Sequence, residues 1–77
     1  MRELVEFITK ALVVDPDAVR VEELDDNGDT VLEVRVAEDD FGRVIGRNGR
    51  VANAIRTVAK AAATREDRRV MVEIVDD

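Results

Sequence analysis

Two glycines bracket two polar residues in Gly46-Arg47-Asn48-Gly49, which stands between the brief apolar segment Val44-Ile45 and a long helical pattern. Glycine at both ends of a tight loop permits left-handed backbone angles and lets another backbone approach without meeting a β-carbon. The loop also opens a helix, whose first N–H groups lack intrahelical partners and whose dipole is positive at that end. The chemistry on offer is therefore anion binding, with phosphate the natural ligand. Arg47 and Arg50 add full charges. Covalent chemistry has far less to work with. The 77 residues include no His, Cys, Ser, Tyr, Trp or Gln, which leaves four threonines and the carboxylates. A nucleophile needs an adjacent base, and general acid catalysis near neutral pH needs a group tuned by burial or neighbours. No such constellation is visible, so neither an enzyme nor a cofactor or metal site is expected, and disulfides and the usual zinc sets are absent.

A net charge of −6 argues, taken alone, against a nucleic-acid partner. Its distribution argues the other way. Residues 1–40 carry 13 acids and 4 bases, and residues 66–77 carry 5 acids and 2 bases. Between them, residues 41–65 hold Arg43, Arg47, Arg50, Arg56, Lys60 and Arg65 with no acid. Local potential within a Debye length of ~8 Å matters more to a docked phosphate than distant charge does. The acidic remainder should still weaken long-range attraction.

The elements that must position this loop follow from periodicity. Apolar residues at Leu4, Val5, Ile8, Ala11 and Leu12 predict one buried face of a helix over 2–13, with Phe7 at its edge as core or contact surface. Asp15-Pro16 ends that helix. Segments 18–24 and 30–37 read as strands joined through Asn27-Gly28, the strongest short-range hairpin signal. Val19 and Val21 match a face made of Leu32, Val34 and Val36, while Glu22-Glu23-Leu24 spoils the alternation and suggests a bulge. Asp39 or Asp40 is the expected N-cap of a helix under two turns long, which Gly46 stops. A second helix from about Gly49 to Thr64 should bury Val51, Ala52, Ile55, Val58, Ala59 and Ala62, with Arg50, Asn53, Thr57 and Lys60 on its other side. Residues 69–75 form a last strand that faces inward through Val70, Val72 and Ile74, and Asp76-Asp77 is expected to fray. A two-helix crossover returns this strand parallel to the second one. The expected fold is one α+β domain over residues 1–77, ordered α-β-β-α-α-β, with three helices on one face of a three-stranded mixed sheet.

The run Gly42-Arg43-Val44-Ile45-Gly46-Arg47-Asn48-Gly49-Arg50, followed by Ala52 and by Ala54-Ile55-Arg56-Thr57, resembles the core of a KH domain, whose GXXG loop joins two helices. The element order is similar to the type II arrangement. Together with the Asp15-Pro16 break, the whole chain resembles the small bacterial single-KH proteins of the KhpA family. Two nucleotide-binding fingerprints fail. A G-x-G-x-x-G motif would need glycine where Val44 stands, and a Walker A loop would need Lys-Ser or Lys-Thr where Arg50-Val51 follows Gly49.

The resemblance implies single-stranded RNA binding beside the loop, with about four nucleotides engaged and little aromatic stacking. That suits a chain whose only aromatics are Phe7 and Phe41. By position it makes Gly46 and Gly49 the hinge glycines, Arg47 and Asn48 the pair nearest phosphate, and Arg43 and Arg50 flanking backbone contacts. Ile45 and Asn53 complete the RNA-binding set. Arg56 and Lys60 are equally well read as basic surface or as ordinary solvent-facing residues. The hairpin turn becomes the variable loop, here short and carrying Asp25, Asp26 and Asp29, which repels phosphate wherever it borders the groove. The resemblance further implies an RNA chaperone or post-transcriptional regulator in the bacterial cytoplasm, without membrane insertion. It also implies a homodimer, or a heteromer with a larger multidomain KH protein of the Jag type, connected with cell shape, elongation and division. The alternative is a KH-fold protein-interaction or dimerisation module with negligible RNA binding. Size adds to the case for association, since a core of this length leaves only ~3–5 kcal/mol of net stability.

Overall fold

The structure is a computed structural model and describes residues 1–76; Asp77, half of the pair expected to fray, lies outside the described residues. Its elements are α1 (Arg2–Leu12), β1 (Arg20–Asp26), β2 (Asp29–Arg35), α2 (Phe41–Ile45), α3 (Arg50–Arg65) and β3 (Val70–Ile74). Single 3-10 turns at Pro16–Ala18, Glu38–Asp40 and Arg47–Gly49 lead into β1, α2 and α3. The sheet order is β1-β2-β3, with β1 antiparallel and β3 parallel to β2. This is the expected α+β arrangement.

Asn27 and Gly28, at φ 54° and 91°, supply the two positive-φ residues that a tight hairpin turn needs. Pairing then runs without interruption from Asp26↔Asp29 to Arg20↔Arg35, so the bulge expected at Glu22-Glu23-Leu24 is absent. Continuous register instead sends Glu22, Glu33 and Glu73, which lie side by side across the three strands, to the face that carries no helix. Leu24, Val31 and Met71 form a second row on that face. Val21, Leu32, Val34 and Val72 point the other way and form the core with Val5, Val19, Ile55 and Ala59. Burying each such Val, Leu or Ile contributes ~1.5–3 kcal/mol, which makes this cluster the main support of so short a chain.

Both long helices sit rotated from the expected orientation. In α1, Val5 and Thr9 are buried whereas Leu4, Ala11 and Leu12 remain exposed. Thr9 fits the interior because its hydroxyl donates to the Val5 carbonyl at 2.8 Å. In α3 the buried set is Ala52, Ile55, Ala59 and Ala63, while Val58 is left outside. Apolar periodicity gives the width of a stripe but not which part of it meets the sheet, and here small alanines take the innermost line.

Asp40 takes the N-cap position of α2, as one of the two residues expected there, but its side chain makes no cap hydrogen bond. Its carboxylate, only 2% exposed, accepts the N–H groups of Val14 and Asp15 at 3.0 Å each and the Arg43 Nε–H at 3.3 Å. The donors are the backbone groups left over just past the end of α1, so one buried side chain fastens the exit of the first helix to the start of the second. The Val14 and then the Asp15 hydrogen bond, helped by Arg43 and opposed by burial, hold this carboxyl below the ordinary carboxylate range. A depressed folded-state pKa gives stabilisation that is complete above the unfolded value of about 3.9 and is lost as pH falls through the folded one. Thermal melts of wild type and Asp40→Asn should therefore differ at neutral pH, with the variant less stable, and should converge as pH drops below about 4.

Candidate nucleic-acid interface

Three residues between α2 and α3 take positive φ: Gly46 (76°), Asn48 (56°) and Gly49 (75°). The two glycines are required for different reasons. Gly46, at ψ 172°, occupies a region open essentially to glycine alone. A β-carbon there would also stand 2.5 Å from Val51 Cγ2 and 2.9 Å from the Val51 backbone nitrogen. Its N–H closes α2 on the Gly42 carbonyl at 2.9 Å. Gly49 has ample room, with Asn53 Nδ2 the nearest atom at 3.9 Å, and needs glycine for its left-handed angles only. Asn48 is one of the few non-glycine types that tolerate such angles. The chain thus leaves α2 and enters α3 within a few residues, presenting Arg47 and Asn48 at an exposed tip.

The start of α3 has no side-chain cap; the Gly49 and Arg50 N–H groups are instead taken by the Gly46 and Arg47 carbonyls of the preceding 3-10 turn, so the charge offered to an external anion comes from arginine side chains and the helix dipole. Among the described residues, Arg47 and Arg50 have no ion-pair or hydrogen-bond partner for their side chains. Arg43 differs, because its Nε is spent on Asp40 while its outer guanidinium nitrogens face solvent. Ile45, the last residue of α2, is half-buried. Asn53 is exposed one turn into α3, with its Oδ1 accepting from Arg56 Nη1 at 3.1 Å. That bond turns its amide nitrogen toward Gly49 and the loop.

Sequence pattern left Arg56 and Lys60 undecided, and the structure separates them. Arg56 is half-buried and its Nε donates to the Val72 carbonyl of β3 at 3.2 Å. Lys60 is free among the described residues. With Val70, Met71 and Val72 these two line a depression of about 170 Å³ between α3 and the edge strand. The acidic hairpin tip lies elsewhere. Gly28 and Asp29 approach Thr64, Asp67, Arg68 and Arg69 at the far end of α3, so the tip does not border the glycine loop.

A family model for the KhpA/KhpB KH domain matches residues 2–74. The chain belongs to that family. It is 53% identical over 75 residues to the RNA-binding protein KhpA of Caldanaerobacter subterraneus subsp. tengcongensis, covering 97% of this chain and all of that protein. Identity to RNA-binding protein KhpA of Clostridium acetobutylicum is 52% over the same shares. For the protein of that name in Borreliella burgdorferi it is 47%, over 96% of this chain and 90% of the relative. No solved structure matches.

The loop geometry separates the glycines experimentally. Gly46→Ala should cost ~2 kcal/mol or more, because strained angles and a backbone clash coincide. Gly42→Ala, at a helical position with nothing within 4 Å, should raise stability by ~0.5–1 kcal/mol. Urea unfolding of both variants measures the contrast.

Proposed function

We propose that this chain binds single-stranded RNA, with the loop Gly46-Arg47-Asn48-Gly49 clamping the sugar–phosphate backbone. The observation that carries the reading is the coincidence, at one exposed turn, of a backbone bent by Gly46 and Gly49 at the positive end of α3 with Arg47 and Arg50 free of side-chain partners among the described residues. Arg43, Ile45 and Asn53 complete the site. Arg43 offers its outer guanidinium nitrogens, Ile45 supplies apolar floor, and the Asn53 amide donates beside Gly49. The named relatives are RNA-binding proteins, a non-enzymatic class, which supports the same reading.

In this reading the protein works in the cytoplasm as an RNA chaperone or post-transcriptional regulator. It pairs with itself, or with a larger multidomain KH protein of the Jag type, in the service of cell shape and division. No described helix is long and apolar enough to cross a membrane. Support for pairing comes from the face shared by α1 and α3. Phe7, 72% exposed, stands on the same side of α1 as Leu4, while Ile8, Leu12, Val51, Ala54, Ile55 and Val58 line an apolar depression of about 360 Å³. A projecting ring and a separate apolar hollow give a second copy two apolar surfaces to cover in a two-fold contact. Arg50 borders that hollow and places it next to the RNA loop. One domain reads few nucleotides, and two linked sites multiply affinity.

Titration of a fluorescent short single-stranded RNA should show at least a tenfold loss for Arg47→Asp/Asn48→Asp, and binding should weaken with salt at a slope of ~0.7 per neutralised phosphate. Equal affinities for wild type and variant would overturn the reading in favour of a protein-interaction module. Light scattering behind size exclusion should give twice the 8.6 kDa chain mass for wild type and a single chain mass for Phe7→Glu.

A further inference from the structure

Among the cations outside the glycine loop, Arg68 and Arg69 stand out. Both are exposed, and neither has an ion-pair or side-chain hydrogen-bond partner among the described residues. They line a depression of about 320 Å³ with Lys60, Ala63, Thr64 and Val70, and no acid contributes to it. The hydroxyl of Thr64 donates to the Lys60 carbonyl at 2.9 Å, so the free donors there are the three cationic side chains. Through Lys60 and Val70 this depression continues into the one beneath Arg56, and hence toward Asn53 and the loop.

The local backbone makes the position of the two arginines definite. Past the end of α3, Asp67 takes φ 57°, its N–H bonds the Thr64 carbonyl at 3.1 Å, and the Arg68 N–H bonds the Ala63 carbonyl at 2.9 Å. This is the paired closure of a Schellman motif, built with aspartate where glycine is usual. It also occupies carbonyls that would otherwise repel an anion at a helix C-terminus, where the dipole amounts to about half a charge against three full cations. The Arg69 carbonyl accepts the Thr30 N–H at 2.9 Å and ties the segment to the sheet.

We propose that Lys60, Arg68 and Arg69 form a second phosphate seat, which holds the single-stranded RNA already clamped at the glycine loop. The proposal rests on the RNA-binding reading above and extends its footprint along the whole of α3. Sixteen helical residues span ~24 Å. A strand advances at least 3.4 Å per phosphate, so at most about seven nucleotides separate the two seats. Asp29 and Asp67, which line the neighbouring depression with the hairpin tip, mark where the track ends. The hairpin acids therefore confine the strand to the Lys60 side instead of abolishing binding.

The test compares RNAs of about four and about ten nucleotides on wild type, Arg68→Ala/Arg69→Ala and Arg47→Asp/Asn48→Asp, by fluorescence anisotropy with the short RNA as competitor. The arginine pair should lower affinity for the long RNA about tenfold, reduce its salt slope by ~0.7 per lost contact, and leave the short RNA within about twofold. Arg68→Lys/Arg69→Lys should restore most of the long-RNA affinity and all of the salt slope. An unchanged affinity and slope for the long RNA would overturn the second seat, as would an equal loss for both lengths. Failure of the loop variant to weaken either RNA would instead sink the clamp reading on which the second seat rests.

Discussion

The approach of Gly46 to Val51 is the constraint on which the interface depends. With no side chain at position 46, the end of one helix lies against the first turn of the next, and the chain reverses within a few residues. A methyl group there would push α2 from α3 and carry Arg47 and Asn48 with it. The Asp40 carboxylate works to the same end from the other side, because it joins the start of α2 to the segment just past α1. The loop is thus fixed at both of its roots while its tip stays bare.

Charge is arranged by face. The Glu22–Glu33–Glu73 row and the hairpin acids lie on the open side of the sheet or at its far end. Arg47, Arg50 and Lys60 lie on the helical side without partners among the described residues. A protein this small sets the two within a few Debye lengths of each other, so attraction of an anion to the basic side is short-range and dominates only near contact. Net charge is the wrong summary for such a molecule.

Much of this was legible before any coordinates. Asn27-Gly28 fixed the hairpin, Gly46 and Gly49 fixed the loop, and element order with a two-helix crossover fixed the parallel pairing of β2 and β3. Other features depend on rotation or on distant partners, which a pattern of residue types does not carry. Leu4, Leu12 and Val58 fit a buried stripe as well as Thr9 and Ala63 do, and only packing against the sheet decides between them. Asp40 looked like a cap because caps are local, yet its partners Val14 and Asp15 lie 25 residues or more away in the chain. Asp67 gave no sign of a left-handed residue because glycine normally marks that place. The nearness of the hairpin tip to Arg68 and Arg69 follows only once strands and helix are assembled.

The hydrogen bond from Arg56 to the Val72 carbonyl also bears on the edge of the sheet. β3 is an outer strand, and an outer strand offers unpaired backbone groups on which another chain can add a strand of its own. A guanidinium laid across its middle residue takes up one of those acceptors and sets a bulky charge beside the rest. Strand addition is hindered at that margin, which leaves β1 as the more open edge of the sheet.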